Sequence, residues 1–121
     1  MGQALDVIKL WFSKPPDDAL YADDIDWYVP SYPVPKERYH GRAAVRDDFF
    51  PAMRAHFSAW RAEATEYIEA GDRVTVIGRY FGTTKAGKDV VIPFLHVWTV
   101  RNGKIAGVIA AADTAQFVRN L

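Results

Sequence analysis

Two side chains that can exchange protons interrupt the apolar C-terminal part of the sequence. His96 lies in the run FLHVWTV, with Phe94 and Trp98 on the same face of a predicted strand, and Asp113 follows the run IAGVIAAA. A titratable group on a strand face lined with aromatic residues is either one satisfied polar residue of a core or part of the wall of a pocket. In a shared pocket, an imidazole and a carboxylate would indicate acid–base chemistry.

Whether the two side chains share a pocket depends on the turn at Asn102-Gly103, which favours a type I′ hairpin because both residues tolerate positive φ. With a two-residue loop, His96 lies opposite Ile109 and the two polar groups point to the same face, roughly 13 Å apart at about 3.3 Å per residue. With a three-residue loop the pairing register shifts by one residue, so His96 and Asp113 point to opposite faces of the sheet. Asp113 also suits the N-cap of a predicted final helix over Thr114–Leu121, so both roles stay open for it.

Aromatic residues supply further candidates for ligand contacts. We expect Trp27, Tyr80, Phe94 and Trp98 to line the pocket, together with Tyr28, whose hydroxyl stands near the end of a predicted strand. The alternative for each is an ordinary place in the hydrophobic core. The sequence has no His-x-x-x-His spacing, glycine-rich phosphate loop or nucleophile motif, so we expect no metal and no cofactor.

The composition argues against several classes of protein. The chain has 121 residues, 15 acidic and 15 basic side chains, and no cysteine. Balanced charge gives neither the basic surface that a nucleic-acid binder needs nor an attraction to anionic membranes. The sequence has no apolar run of about 20 residues and no signal-peptide pattern. We therefore expect one cytoplasmic domain that spans residues 1–121 and contacts neither nucleic acid nor a membrane.

Apolar periodicity and turn residues predict the elements that hold the candidate residues. The predicted helices are one through Leu5, Ile8 and Phe12 that ends at Pro15-Pro16, a short one over Asp17–Ala22, and a longer one over Arg42–Phe57. Pro51 should cause a kink in the longer helix near Phe50. The predicted strands are Ile25–Val29, Trp60–Glu69, Val74–Thr83, Val90–Val100 and Ile105–Ala112. The proline-rich loop between Pro30 and Tyr39 is the predicted lid. Arg42, Arg46 and Arg54 fall on one helical stripe, which is typical of a solvated face.

This order of elements predicts an α+β fold in which a curved antiparallel sheet packs against N-terminal helices. A sheet that curves strongly around helices leaves a cone-shaped hollow between the two layers. Chemistry is expected in that hollow.

Several short motifs resemble the NTF2-like superfamily, in its SnoaL-like and ketosteroid-isomerase-like branch. The motifs are Tyr21-Ala22-Asp23-Asp24 before a strand that ends at Pro30, His40-Gly41-Arg42-Ala43-Ala44-Val45 at the start of the long helix, Gly87-Lys88 before the strand with His96, and Asn102-Gly103-Lys104-Ile105 followed by Asp113-Thr114. They span almost the whole chain. The resemblance implies the conical NTF2-like fold, and it indicates the fold more specifically than the function.

The resemblance also has implications for the site. The catalytic aspartate of the steroid isomerases falls at Val29 here, and their first-helix tyrosine has no counterpart, so we do not expect steroid isomerase activity by that mechanism. SnoaL-like cyclases resemble the chain in placing an acid–base aspartate at Asp113, and relatives similar to scytalone dehydratase place a histidine like His96. The resemblance thus implies that Asp113 moves a proton, His96 polarises a substrate oxygen and Tyr28 orients the substrate.

Two functions remain as hypotheses. In the first, the protein binds a small cyclic or aromatic molecule and acts as a cofactor-independent isomerase, cyclase or dehydratase. In the second, the domain is a non-catalytic ligand-binding or dimerisation module, with the pocket filled by its own side chains. In both, we expect a homodimer formed through the open face of the sheet.

Overall fold

The computed structural model describes residues 3–14 and 16–121. The helices are α1 (Gln3–Phe12), α2 (Arg42–Ala44), α3 (Phe50–Arg54) and α4 (Thr114–Asn120), with a 3₁₀ turn over Asp18–Leu20 and a π-helical segment over Val45–Phe49. The strands are β1 (Tyr21–Tyr28), β2 (Arg38–His40), β3 (Phe57–Ala70), β4 (Arg73–Thr84), β5 (Asp89–Arg101) and β6 (Lys104–Ala112). No helix within these residues is long and apolar enough to cross a membrane.

The N-terminal elements differ from the prediction in their extent. The first helix is confirmed, and it ends at Phe12, before the predicted stop at Pro15, which lies outside the described residues. The short helix predicted over Asp17–Ala22 is only the 3₁₀ turn, and the next strand begins already at Tyr21. Tyr21 and Ile25 are buried on the inner face of β1, and this burial extends the strand toward the N-terminus.

The six strands form one sheet in the order β2-β1-β6-β5-β4-β3. Strands β3 to β6 form the predicted antiparallel meander, but β1 runs parallel to β6, so the sheet is mixed rather than antiparallel. The prediction was wrong here because β1 and β3 are joined by a helical crossover. Such a connection can carry the chain to the opposite edge of the sheet and leave β1 beside the last strand in parallel orientation.

The hairpin between β5 and β6 has the predicted two-residue turn. Asn102 and Gly103 have φ values of 53° and 75°, as a type I′ turn requires. Two pairs beyond the turn, a bulge at Ala106 shifts the register by one residue. His96 therefore lies opposite Ala110 instead of Ile109.

The helix predicted around Pro51 has a π-helical segment where the kink was expected. The backbone N–H of Phe50 donates to the carbonyl oxygen of Val45, five residues back. Pro51 follows immediately and has no N–H to donate, so the wider turn adjusts the helix around the missing hydrogen bond. The helix ends at Arg54, earlier than predicted, because Phe57 already begins β3.

The two faces of the sheet have different environments. Alternate residues of β5 are buried on the inner face: Val90, Ile92, Phe94, His96, Trp98 and Val100. The outer face carries exposed apolar side chains, among them Ile77, Leu95 and Ile109, which are 37%, 47% and 46% exposed. The helices cover the inner face alone.

Candidate functional site

A cavity of about 620 Å³ lies between the helices and the inner face of the sheet. Its walls come from the end of α1, from the π-helical segment with α3, and from β1, β3, β4, β5 and β6. All four tryptophans of the chain line it: Trp11, Trp27, Trp60 and Trp98. A pocket of this size holds a small organic molecule, and aromatic walls favour a flat and mostly apolar one.

Three polar side chains form a hydrogen-bonded series in the wall of this cavity. The hydroxyl groups of Tyr32 and Tyr80 lie 2.6 Å apart, and the Tyr80 hydroxyl lies 2.6 Å from Nε2 of His96. The three residues are only 6%, 6% and 3% exposed, respectively. We call Tyr32, Tyr80 and His96 the Tyr–Tyr–His network.

The sheet register and one glycine bring Tyr80 and His96 together. Tyr80 pairs with Ile92 and His96 pairs with Val76, so both side chains point to the inner face from neighbouring strands. The ring of Phe94 packs against both, with centroids 4.6 Å from Tyr80 and 4.0 Å from His96. A Cβ atom at Gly78 would come within 2.6 Å of the Phe94 ring, so the glycine leaves the room that this ring occupies.

Burial keeps every member of the network uncharged near neutral pH. It raises the pKa of Tyr32 and that of Tyr80 above the usual value of a phenol. It lowers the pKa of His96 to about 3. A charge in this wall would lose its hydration without gaining a counter-ion, which is why the neutral forms are favoured. The network can therefore hold and exchange protons, but only as neutral groups.

Three buried nitrogen atoms of the cavity-lining residues have no hydrogen-bond partner among the described residues. They are Nε1 of Trp27, Nε1 of Trp98 and Nδ1 of His96. An indole N–H can only donate, and leaving such a group unsatisfied costs about 1–3 kcal/mol. The two indole N–H groups therefore favour a molecule that carries a hydrogen-bond acceptor, whereas Nδ1 of His96 can donate or accept.

Four of the seven predicted site residues lie in the cavity wall. Trp27, Tyr80, His96 and Trp98 line the cavity. Phe94 lies behind the wall, where it supports the Tyr–Tyr–His network through the ring contacts described above. Asp113 and Tyr28 lie elsewhere.

Asp113 lies outside the cavity, on the opposite face from His96. Its backbone N–H donates to the carbonyl oxygen of Pro93, an exposed position of β5, and its side chain is exposed. The bulge at Ala106 is the cause, because one extra residue in β6 reverses the face of every residue that follows. Asp113 stands instead at the N-cap position of α4, and its Oδ2 accepts a hydrogen bond from the Gln116 side chain at 3.1 Å.

Tyr28 lies on the outer face of β1. It is paired with Ile109, and the guanidinium of Arg38 packs over its ring at 4.1 Å. Trp27, its neighbour in sequence, points to the inside and lines the cavity, since successive residues of a strand alternate between faces. Tyr32, and not Tyr28, is the tyrosine near this end of β1 that lines the cavity.

Tyr32 is the site residue that the sequence analysis missed. It belongs to the proline-rich loop after β1, which was predicted as a lid, and it enters the core between β4 and α4. The residues on both sides of Tyr32 have distinct backbone features. Ser31 has a positive φ of 63°, and the carbonyl oxygen of Pro33 lies 2.6 Å from Nε2 of His56. Tyr32 and Tyr39 are the two aromatic residues in this stretch of prolines and charges, and their apolar rings were the available signal.

Metal-binding side chains are not grouped in the described part of the chain. Within residues 3–14 and 16–121, no three His, Cys, Asp or Glu side chains lie close enough to hold a metal ion together. Val29, at which the resemblance would place the aspartate of the steroid isomerases, lines the cavity as a buried apolar residue.

Comparisons with known proteins place this geometry in a family. The model of the SnoaL-like domain matches residues 17–108. An NTF2-like protein of unknown function from Burkholderia pseudomallei is 26% identical, with a TM-score of 0.87 and coverage of 98% of this chain and 97% of that chain. TerC, co-crystallised with polyporic acid, is 24% identical, with a TM-score of 0.86 and coverage of 97% and 96%.

A third solved structure resembles the chain at lower identity. It is a protein with a ketosteroid-isomerase-like fold from Catenulispora acidiphila, in complex with trimethylamine, which is 17% identical with a TM-score of 0.74 and coverage of 88% of this chain and 84% of that chain. A search of curated proteins found no significant match. The structural neighbours confirm the predicted α+β cone of the NTF2-like kind. Because the family model covers most of its length, the chain belongs to the SnoaL-like domain family.

Proposed function

We propose that the protein binds a small, flat, mostly apolar molecule with at least one oxygen atom in the 620 Å³ cavity, and that it transfers a proton on this molecule without a cofactor. The observation that carries the proposal is the Tyr–Tyr–His network, which is buried in the cavity wall, whereas the charged lining residues Lys9, Lys14, Arg61 and Glu63 are exposed. Two neighbours of the same fold support it, since TerC was co-crystallised with polyporic acid and the Catenulispora protein is in complex with trimethylamine.

The ligand oxygen would occupy the place where hydrogen-bond donors lack a partner. The indole N–H groups of Trp27 and Trp98 can only donate, so their partner must be an acceptor such as a carbonyl or enolate oxygen. The ring centroids of the two tryptophans are 5.6 Å apart. Donors fixed in an apolar wall stabilise a negative charge that develops on an oxygen more strongly than the same donors in water.

The network can accept a proton at one end and release a proton at the other. With the hydrogen bonds running from His96 to Tyr80 to Tyr32, Nδ1 of His96 has a free lone pair and the Tyr32 hydroxyl is the terminal donor. When Nδ1 takes a proton from carbon, Nε2 passes its proton to Tyr80, Tyr80 passes its own to Tyr32, and Tyr32 gives its own to the substrate oxygen. Every group is neutral before and after this exchange, as burial requires.

This mechanism assigns proton transfer to the network and not to Asp113. The carboxylate of Asp113 is exposed on the other side of the sheet. Isomerisation, cyclisation and dehydration of an enolisable ketone all begin with such a transfer between carbon and oxygen. These three reaction types are the classes that we propose.

The exchange of α-hydrogens in 2-tetralone tests the proposal. This flat bicyclic ketone forms an enol, and deuterium uptake from D₂O can be followed by proton NMR. We expect the wild type to accelerate the uptake and Tyr80→Phe to lose about a hundredfold or more of the acceleration, since positioned proton transfer contributes at least that much. Tyr28→Phe is the matched control, because it removes a hydroxyl from the outer face.

Ligand binding, measured in parallel with deuterium uptake, distinguishes an enzyme from a non-catalytic ligand-binding module. The four tryptophans line the cavity, so their fluorescence reports its occupancy. Binding without acceleration of exchange would support the non-catalytic ligand-binding module. If neither 2-tetralone nor other flat ketones change the tryptophan fluorescence, the cavity is not a binding site and the proposal fails.

We also propose that a second copy of the chain covers the outer face of the sheet. Ile77 pairs with Leu95 across β4 and β5, and the half-buried Val97 pairs with Ile109 across β5 and β6, so the apolar side chains of the outer face are contiguous over three strands. A contiguous apolar patch of this kind can face itself across a two-fold axis. Light scattering on the wild type and on Leu95→Glu tests the dimer, which the charged variant should dissociate.

A further inference from the structure

A second depression adjoins the cavity near its opening. It has a volume of about 410 Å³ and shares Lys14, Pro16 and Phe50 with the cavity as common walls. A molecule that fills the cavity with its ring can therefore extend along these residues into the depression. Aromatic and aliphatic residues make up most of the cavity lining, whereas five of the eight residues that line the depression are charged.

Positive charge predominates in the lining of the two spaces. Five cationic and three acidic side chains contribute to it: Lys9, Lys14, Arg46, Arg54 and Arg61, with Asp17, Asp18 and Glu63. The chain as a whole has a formal net charge of zero, so this local excess does not follow from its composition. A positive potential at the mouth of a cleft attracts anionic ligands.

Three of the five cations are neutralised by neighbours. Ion pairs join Lys14 to Asp17 at 2.9 Å, Arg46 to both Asp18 and Asp47 at 2.8 Å, and Arg61 to Glu63 at 2.7 Å. In the described part of the chain, no carboxylate oxygen lies within 4.0 Å of the charged nitrogens of Lys9 or Arg54.

The two cations without a carboxylate are held against rings that form the walls. Nζ of Lys9 lies 5.5 Å from the ring centroid of Tyr67, which lines the cavity. The guanidinium of Arg54 lies 5.8 Å from the ring centroid of Phe50, which lines both spaces. These contacts favour positions of the two charges at the opening, where an anionic group of a ligand would meet them.

We infer that the natural ligand is a flat aromatic acid, with its ring in the cavity and a carboxylate arm in the adjoining depression. The inference rests on the proposed binding function and defines its substrate class. Arg54 is the specificity-determining residue, because it offers planar paired donors to a carboxylate and has no acidic partner among residues 3–14 and 16–121. Lys9 adds a second positive charge at the opening.

A matched pair of ligands tests the inference. The compounds 6-hydroxy-2-naphthoic acid and its primary amide have the same ring and nearly the same shape and differ in charge. We expect calorimetry to show the acid binding about fivefold more tightly to the wild type, as a partly exposed ion pair would give. The preference should fall when sodium chloride is raised from about 50 mM to about 500 mM.

Variants of exposed arginines identify the residue responsible. We expect Arg54→Gln to abolish the preference for the acid and leave the affinity for the amide unchanged, and Arg54→Lys to keep part of the preference. Arg73→Gln is the control, because Arg73 is exposed at the start of β4 and lines neither space.

The possible results separate this inference from the function on which it rests. If the acid and the amide bind equally well to the wild type and to Arg54→Gln, the natural ligand is not selected for a negative charge and the inference is wrong. The cavity would still be a binding site. Failure of both compounds to bind would count against both proposals. If the preference for the acid is lost in Arg73→Gln but kept in Arg54→Gln, the carboxylate does not bind in the depression beside Arg54.

Discussion

Replacing His96 by glutamine should change how the stability of the protein depends on pH. His96 is 3% exposed, and its pKa falls from an ordinary value of 6.5 to about 3 because the charged ring would lose its hydration. The unfolded chain therefore binds a proton at this position in a pH range in which the folded chain does not. Glutamine can still form a hydrogen bond to the Tyr80 hydroxyl but does not titrate.

The sign and the size of the effect follow from the two pKa values. Because the pKa of the folded state is the lower one, the contribution of neutral His96 to stability is complete above pH 6.5 and is lost as the pH falls toward about 3. Each pH unit in this range changes the free energy of unfolding by about 1.4 kcal/mol, so the loss between about pH 7.5 and about pH 5 is about 2 kcal/mol.

Urea denaturation of both proteins at the two pH values measures this contribution. The wild type should lose about 2 kcal/mol more than His96→Gln, because all other titrating groups are common to both proteins. An equal loss in the two proteins would refute the reasoning. It would show that His96 is protonated in the folded state and that the Tyr–Tyr–His network is not neutral.

Three further changes test other parts of the structure. Tyr80→Phe should destabilise the protein by about 1–3 kcal/mol in urea, because both neighbours of the hydroxyl lose their partner, whereas Tyr28→Phe should cost much less. Gly78→Ala should lower the melting temperature strongly or prevent folding, because the new Cβ would overlap the carbonyl oxygen of Glu63, and an unchanged melting temperature would contradict the packing described here. Leu95→Glu should give a monomer in light scattering that still binds flat ketones, and a monomeric wild type would contradict the proposed dimer face.

Local sequence signals predicted most of the fold. Asn102-Gly103 forms the predicted type I′ turn because few other residue pairs tolerate positive φ at both positions. Pro51 predicted a disturbed helix, and the π-helical segment stands beside it. The alternation of apolar residues placed His96 and Trp98 on the inner face of β5, where both line the cavity.

The errors concern features that depend on long-range packing. Gly107, next to Ala106, was a signal of the bulge that turns Asp113 away from His96, but a glycine alone does not fix the register, since a bulge is defined by pairing with the neighbouring strand. The parallel position of β1 depends on the path of the helical crossover, which local periodicity does not encode. Tyr32 enters the site from a loop, where no periodicity indicates which side chains are buried.

The most direct test of the central claim is an NMR observation of the three histidine rings during a titration with 2-tetralone. His40 and His56 lie outside the cavity lining and serve as internal controls, whereas His96 lines the cavity and bonds to Tyr80. We expect the His96 nitrogens to show a neutral ring at about pH 7 and to shift with ligand concentration, while the other two rings stay unchanged. A charged His96 ring, or a ligand that binds without shifting it, would contradict the assignment of the site to the Tyr–Tyr–His network.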